Sequence, residues 1–365
     1  MLRRSATVQA VCCAGAAAAL LAGLAACSSH APSPAQPSPA AIARPIDPVE
    51  SRSPWSFAGR QGEAIRTANY RIWTTELDPV INRRLPIFLE EAIAHYRTAL
   101  GPLPAPEDRL DTFILANRHQ WELLTRQLMG EGADLYLRIP RGGFAWGGRS
   151  VLYDIGAQGT MAIAAHEGWH QYTQRTFKEG LPIWLEEGIA AFMEGHRWGG
   201  PPAAGGTGAA VSGAMPVFLG WANPERYDQL RADAAAGNLM TLRKLLEATP
   251  QEMLESGSNG ALTYYAQVWA LVHFLREGAG GTYRPALERL VADAAAGRLH
   301  RTLATTLEPN AARAAARTRR GTGVFEAYFT ADLDRAERQY AEFIQRIVRP
   351  GGRTAIAEGR SPVSP

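Results

Sequence analysis

The 365-residue sequence has few cysteines and no marked excess of charge of either sign. Its three cysteines are Cys12, Cys13 and Cys27, so the chain beyond position 27 can form no disulfide. Any metal ligands beyond that position must therefore be histidine or carboxylate side chains. The formal net charge is only +3, whereas a nucleic-acid-binding protein carries a strong basic excess. We therefore expect no nucleic-acid partner.

The amino terminus lacks a hydrophobic run long enough for a comfortable membrane span, but it has the parts of a secretory signal. A basic start precedes an apolar run over residues 11–24, and Leu24–Cys27 reads Leu-Ala-Ala-Cys. This tetrapeptide resembles the bacterial lipobox, which implies cleavage before Cys27 and lipid attachment to it. Two or more acyl chains make a stable anchor. We expect a signal peptide over 1–26 and a lipid-anchored protein of the bacterial cell envelope, at the outer membrane facing the periplasm or the exterior; a plain secretory signal is the alternative.

Composition and periodicity divide the rest of the chain into five segments. Residues 27–57 are rich in Ser, Pro and Ala, which predicts a lipidated tether. Residues 58–156 mix strand and helix patterns and predict an α/β subdomain. Helical periodicity dominates afterwards, which predicts two helices over 157–198 and a helical carboxyl-terminal lobe over 199–349. We expect a disordered tail over 350–365.

Two local predictions concern single residues and short runs. Asp78-Pro79 predicts the start of a helix, because an N-cap aspartate is followed by proline at the first helical position. Pro86 is then expected to break that helix. Further along, the run over 134–139 is predicted to be a strand.

Residues 163–171 read IAAHEGWHQ and contain the pattern His-Glu-x-x-His within a helical periodicity. The spacing of four places His166 and His170 on one helix face, about 6 Å apart along the axis, close enough to share one Zn²⁺. Glu167 is rotated off that face, so it can approach a water molecule without binding the metal. A helix with surface histidines is the alternative. It conflicts with the apolar residues before the motif, because they indicate burial and buried histidines need partners.

A second helix is predicted over 182–195, which reads PIWLEEGIAAFMEG. A catalytic zinc site takes three protein ligands and keeps one position open for water, so a third ligand is expected from a neighbouring helix. Glu187 and Glu194 are seven residues apart and share a face, whereas Glu186 points about 100° away. The spacing therefore leaves Glu187 and Glu194 as candidates for the third ligand.

The HEGWH segment followed by WLEEGIA at 184–190 resembles the gluzincins and a peptidase-MA-like domain family of bacterial lipoproteins. The resemblance implies zinc as the cofactor, a peptide or protein substrate, and Glu187 as the third ligand beside His166 and His170. It also implies that Glu167 is the general base. The Gly-x-Met-Glu-Asn segment of the related aminopeptidases is not found before the motif, so endo- and exopeptidase activity both remain open.

Two further roles are predicted with named alternatives. Glu194 is expected to hydrogen-bond toward a ligand histidine or the loop that holds it, because it shares the face of Glu187; a surface acid is the alternative. Gluzincins use a tyrosine or histidine from a later helix to stabilise the developing oxyanion, and the resemblance implies Tyr265. Tyr264 and His273 are the competitors for that role. Tyr265 could also serve only in packing.

Three interpretations of function follow from these residues. The first is a zinc-dependent hydrolase, a peptidase of the gluzincin type. The second is a non-catalytic zinc-binding envelope lipoprotein, and the third is a metal-free envelope-binding module. The expected architecture is α+β and zincin-like, with a mixed sheet beside the His-Glu-x-x-His helix, a mainly helical carboxyl-terminal lobe, and the cleft between them.

Overall fold

A computed structural model of the protein describes residues 47–75, 78–139, 141–199, 215–255 and 258–363. Cys27, the predicted signal peptide and most of the predicted tether lie outside these ranges. Within the described ranges, no helix is both long and apolar enough to cross a membrane. The described residues belong to one compact unit, so the predicted divisions at 157 and 199 mark changes of secondary structure within it.

The fold is α+β, and its amino-terminal part is a six-stranded mixed sheet. The strands are β1 Ser51–Phe57, β2 Arg60–Arg66, β3 Tyr70–Thr75, β4 Leu110–Leu115, β5 Gly143–Trp146 and β6 Arg149–Tyr153. Their order in the sheet is β1-β2-β3-β4-β6-β5. The β3–β4 and β4–β6 pairs are parallel, and the other pairs are antiparallel. The mixed sheet predicted from the sequence is confirmed.

Helices make up most of the remaining structure. They are α1 Pro79–Tyr96, α2 Arg118–Met129, α3 Ala133–Leu137, α4 Ala157–Thr176, α5 Ile183–Met193, α6 Pro224–Ala236, α7 Leu242–Glu247, α8 Pro250–Glu255, α9 Ser258–Glu277, α10 Arg284–Ala296, α11 Leu299–Thr306, α12 Pro309–Thr318, α13 Gly323–Tyr328, α14 Leu333–Ile347 and α15 Gly352–Ala357. A two-stranded ribbon, β7 His196–Gly199 and β8 Met215–Phe218, interrupts them.

The sheet carries one hydrophobic core on each face. Alternation along β3 directs Ile72 into the main core with α1 and α4. Trp73 points to the opposite face, where it stacks on Phe113 at a ring-centroid distance of 6.0 Å. On that face α2 contributes Trp121 to a smaller core. The main core continues through α5 and α9 into the carboxyl-terminal helices, so the sheet and these helices share one apolar interior.

Both ends of the described chain are more ordered than predicted. The strand β1 lies inside the segment predicted as a tether. It is ordered because its whole length pairs with β2 across a tight turn at Ala58 and Gly59. The carboxyl-terminal segment predicted as disordered contains α15, and its Ile356 is fully buried. Ser361 also donates a hydrogen bond to Glu277 Oε2 at 2.6 Å. Long-range packing of this kind has no signal in local composition.

Two local predictions are wrong. The helix α1 starts at the predicted Asp78 N-cap but continues through Pro86 to Tyr96. A proline inside a helix costs about 3 kcal/mol. On both sides of Pro86, however, α1 buries large apolar side chains, and burial of each contributes about 1.5–3 kcal/mol. The predicted strand over 134–139 is mostly the short helix α3, because short apolar runs do not distinguish the two states.

Candidate metal centre

The helix α4, which carries the His-Glu-x-x-His motif, is held against α1 at its centre. The Tyr96 hydroxyl on α1 donates a hydrogen bond of 2.8 Å to the carbonyl oxygen of Ala165. A Cβ atom at Gly168 would lie 2.6 Å from the same hydroxyl oxygen, so a residue with a side chain would displace the Tyr96 hydroxyl or push the helices apart. The glycine within the motif therefore fixes how closely the metal-site helix approaches its support.

A second close approach joins α5 to α9. A Cβ atom at Gly188 would lie 2.7 Å from the carbonyl oxygen of Val268 and 2.9 Å from Val272 Cγ2. Only glycine allows the two backbones to come this near without displacement. Because Gly188 directly follows Glu187, and Tyr265 lies about one turn before Val268, this contact brings α9 to the same region as the acids of α5.

His166, His170 and Glu187 converge from α4 and α5, and each offers a ligand atom within 4.8 Å of the other two. Glu187 Oε2 lies 3.5 Å from His166 Nε2 and 3.4 Å from His170 Nε2. These distances are long for hydrogen bonds, and Glu187 Oε2 is buried with no hydrogen-bond partner among the described residues. Two imidazole nitrogens and one such oxygen fit a metal cation. This group could therefore bind a metal ion.

The other nitrogen of each histidine is engaged by a carboxylate. His166 Nδ1 lies 2.8 Å from Glu194 Oε1, the kind of contact predicted for Glu194. His170 Nδ1 lies 3.1 Å from Glu186 Oε1, although helical periodicity had placed Glu186 on a different face. A carboxylate at Nδ1 orients the ring and leaves Nε2 directed at the metal position. Each histidine thus has its own orienting acid.

Glu194 lies at the centre of a buried network. Asn223 Nδ2 donates to its Oε2 at 2.7 Å. The Arg226 guanidinium donates to both carboxylate oxygens, from Nη2 to Oε1 at 2.7 Å and from Nε to Oε2 at 3.1 Å. The carboxylate is therefore fixed by three donors besides the contact with His166.

The electrostatics of the histidines follow from these acids. Burial lowers the pKa of His166, but the Glu187 and Glu194 carboxylates outweigh it and raise the pKa to about 9. Burial also lowers the pKa of His170, but Glu187 and Glu186 outweigh it and raise the pKa well above its usual range. Both rings therefore lie where positive charge is strongly stabilised, as a site for a cation requires.

The acids are shifted in the opposite direction. Burial raises the pKa of Glu187, but His170 and His166 outweigh it and hold the pKa well below its usual range. For Glu194, burial is likewise outweighed by Arg226 and His166, and the pKa falls to about 2. Both carboxylates are thus ionised at neutral pH.

Glu167 differs from these two acids. Glu167 is 8% exposed, and its side chain makes no hydrogen bond or ion pair with the other described residues. Burial raises its pKa, and this effect exceeds the opposing influence of His166 and His170. A carboxylate that is free of partners and near two candidate metal ligands can exchange a proton with a bound molecule.

The three candidates for an oxyanion donor occupy different surroundings. The half-buried Tyr265 ring lies 5.8 Å from the His166 ring, and its hydroxyl has no hydrogen bond to other described residues. The Tyr264 hydroxyl is fully buried and also lacks a described partner. His273 is stacked 3.5 Å from Trp221, and its Nε2 donates to the Gly220 carbonyl oxygen at 3.2 Å. Among the three, Tyr265 is the one in ring contact with a metal-site histidine.

Sequence reasoning missed Glu186, Asn223 and Arg226 as members of the site. Glu186 was set aside because periodicity describes one helix and not the crossing of two. Asn223 and Pro224 carry a readable helix-start signal, and Asn223 does accept a hydrogen bond from the Arg226 backbone N–H at 3.3 Å. No local pattern, however, links this helix start to Glu194, which lies 29 residues before Asn223.

Comparison with models of known protein families and with curated protein sequences gives no match for this chain.

Proposed function

We propose that this protein is a zinc-dependent hydrolase of the gluzincin type, acting on peptide bonds, in a zincin-like α+β fold. The observation that carries the proposal is the convergence of His166 Nε2, His170 Nε2 and Glu187 Oε2 beside a partner-free Glu167. Two imidazoles and one carboxylate are the donor set that zinc takes in hydrolytic sites, where a fourth position stays open.

Zinc bound at these side chains would polarise a substrate carbonyl and acidify a water molecule. The residues of the chain supply the remaining steps. Glu167 accepts the proton of the attacking water and passes it to the leaving amine, which requires a carboxylate without competing partners. Tyr265 donates a hydrogen bond to the oxygen on which negative charge develops.

Glu194 and Glu186 act on the histidines rather than on the substrate. Each accepts a hydrogen bond from one Nδ1–H, which fixes the tautomer and the ring plane. Thr173 Oγ1 donates to Glu186 Oε1 at 2.7 Å and so restrains the acid in turn. This arrangement keeps both Nε2 atoms directed at the metal position throughout the reaction.

The second candidate is a non-catalytic zinc-binding protein of the cell envelope. A purely structural zinc site has no use for Glu167, and structural sites are usually closed by a fourth protein ligand. Within the described residues, the metal-binding group has three members. We therefore favour the hydrolase.

The test is a cleavage-site profile on a complex mixture of unfolded proteins, comparing the zinc-loaded protein with Glu167→Gln. We expect the zinc-loaded wild type to cut these proteins, and Glu167→Gln to cut them at a rate at least about 10²-fold lower. Glu225→Gln, a change at an exposed acid on α6, is the matched control and should cut normally. Bound zinc without any cuts would favour the non-catalytic alternative, and absence of zinc binding would contradict both.

We also propose that the protein is a lipoprotein of the bacterial envelope, anchored through Cys27 at the outer membrane. The support is the Leu-Ala-Ala-Cys tetrapeptide after a short apolar run. Cys27→Ser should move the protein from the membrane fraction to the soluble fraction, because the acyl chains would have no attachment point. Unchanged tight membrane association of the variant would contradict the anchor.

A further inference from the structure

We propose that Arg226 is a positioning residue that sets His166 and Tyr265 in one arrangement, so that the metal site and the oxyanion donor are oriented together. The inference rests on the proposed hydrolase function. Arg226 lies in the first turn of α6, outside both sequence motifs, and its side chain is 11% exposed. It is not a member of the candidate metal-binding group and acts through two neighbours.

The first neighbour is Glu194. The guanidinium and the carboxylate form two hydrogen bonds side by side, of 2.7 Å and 3.1 Å. A two-point pair of this kind fixes the plane of the carboxylate as well as its position. Because Glu194 Oε1 also contacts His166 Nδ1, the plane set by Arg226 determines the direction of the imidazole ring.

The second neighbour is Tyr265. The guanidinium carbon of Arg226 lies 5.1 Å from the centre of the Tyr265 ring, within the range of a cation–π contact. The Tyr265 ring also makes a T-shaped contact with the His166 ring, and the two ring planes are inclined at 74°. Arg226 and His166 therefore both contact the Tyr265 ring and restrain its position.

A simple charge-balancing role would not need this geometry. A lysine ammonium at the same place would neutralise Glu194 but could not present two parallel donors or a flat cation to the tyrosine ring. Asn223 already donates to Glu194 Oε2, so the carboxylate would still be held at one oxygen. The specific contribution of arginine is the orientation of two side chains at once.

The experiment compares Arg226→Lys with the wild type in the full protein, with Arg231→Lys at an exposed position of the same helix as the matched control. Zn²⁺ affinity is measured by competition with a chromophoric chelator. The order of the Tyr265 ring is measured by ¹⁹F NMR with 3-fluorotyrosine at position 265, which requires neither substrate nor metal. Circular dichroism and thermal unfolding establish that each variant is folded.

We expect Arg226→Lys to weaken Zn²⁺ binding about 10–100-fold, the usual effect of losing an orienting partner. Combining it with Glu194→Gln should weaken binding no further than Glu194→Gln alone, because both act through one contact. The ¹⁹F line at position 265 should broaden or split. At saturating zinc, kcat should fall while KM changes little, because substrate binding is not affected.

The proposal is overturned if Arg226→Lys keeps wild-type Zn²⁺ affinity and an unchanged ¹⁹F line, since charge alone would then suffice. A change in only one of the two readouts would overturn the shared role. Should Arg226→Lys fail to fold, the charge-neutral pair Arg226→Gln with Glu194→Gln replaces it, and its ¹⁹F line is compared with that of Glu194→Gln. A wild-type protein that binds no zinc or cuts no peptide would contradict the proposed function instead, while the ¹⁹F comparison would still decide the role of Arg226.

Discussion

Glu186 and Glu187 are adjacent in the chain yet contact different nitrogens of the same histidine. Glu187 Oε2 lies 3.4 Å from His170 Nε2, and Glu186 Oε1 lies 3.1 Å from His170 Nδ1. Neighbouring positions on a helix differ by about 100° in direction. The two acids can therefore reach opposite edges of one imidazole ring that projects from α4 between them.

Of these two acids, only Glu187 could be assigned to the site from the sequence. The His-Glu-x-x-His spacing and the following WLEEGIA segment were enough to select His166, His170 and Glu187, which the structure brings together. The orienting role of Glu186 depends on how α4 and α5 cross. The crossing depends on tertiary packing, in which Gly168 allows α4 to approach α1 and Gly188 allows α5 to approach α9. Sequence periodicity contains no such information.

Replacing Glu186 tests the contact that periodicity did not predict. Glu186→Gln should lower Zn²⁺ affinity about 10–100-fold, because an amide oxygen accepts from Nδ1 less strongly than a carboxylate. Chelator competition measures the change, and Glu225→Gln on α6 serves as the exposed-acid control. An affinity equal to that of the wild type would show that His170 is oriented by its other surroundings.

The two adjacent tyrosines on α9 should respond differently to loss of the hydroxyl. Tyr265→Phe should bind zinc normally and lose about 10²–10³-fold in turnover, the usual cost of removing one oxyanion donor. Tyr264→Phe is the matched control. Its hydroxyl is buried without a described partner, so its removal should leave turnover and stability unchanged or slightly improve stability. A fully active Tyr265→Phe with an impaired Tyr264→Phe would exchange the two assignments.

At the scale of elements, the close approach of α5 to α9 links the metal-site helix to the helix that carries Tyr265. Gly188→Ala would normally favour a helix, since alanine has the higher helix propensity by about 1 kcal/mol. Here the added methyl group meets the Val268 carbonyl oxygen at 2.7 Å. The helices must then separate, which should lower the free energy of unfolding by about 1–3 kcal/mol.

Urea unfolding of Gly188→Ala measures that loss, and Zn²⁺ affinity measured alongside should fall because Glu187 is displaced. Gly132→Ala is the control, because a Cβ atom there meets nothing within 4 Å. An increase in stability for Gly188→Ala would contradict the tight contact between α5 and α9.

The sequence predicted elements well where their periodicity was long and poorly where tertiary contacts decided. The start of α1 and the helices α4 and α5 lie close to their predicted positions. The predicted break at Pro86 was wrong because apolar packing of α1 outweighs one lost hydrogen bond. The strand β1 was assigned to the tether because Ser and Pro dominate its sequence, whereas its order comes from pairing with β2.

At the scale of the whole molecule, the carboxyl-terminal segment is joined to α9 by an acid whose ionisation depends on the fold. Burial raises the pKa of Glu277, but His273, Ser361 and Trp221 outweigh it and lower the pKa to about 2. In the unfolded chain the pKa returns to its usual value of 4.5. The stabilisation is therefore fully present above about pH 4.5 and is lost as the pH falls toward 2.

Unfolding by urea at pH 6, 4.5 and 3 tests this dependence against Glu277→Gln. The wild type should be more stable than the variant at pH 6, and the difference should shrink as the pH falls, because the variant has no ionisable group at this position. The subtraction removes the contribution of the other acids, which titrate in both proteins. A difference that stays constant from pH 6 to pH 3 would contradict the lowered pKa.

The hydrogen bond from Ser361 to Glu277 also sets an order of events during biosynthesis. The two residues are 84 positions apart, and Arg197 Nη1 donates to the carbonyl oxygen of Glu358 across 161 positions. Neither contact can form until almost the entire chain has emerged from the ribosome. The sheet can form earlier, because β1, β2 and β3 pair locally. The amino-terminal strands can therefore already be paired while the carboxyl-terminal segment is still free of α9, so the contact between Ser361 and Glu277 is one of the last that the folding chain can make.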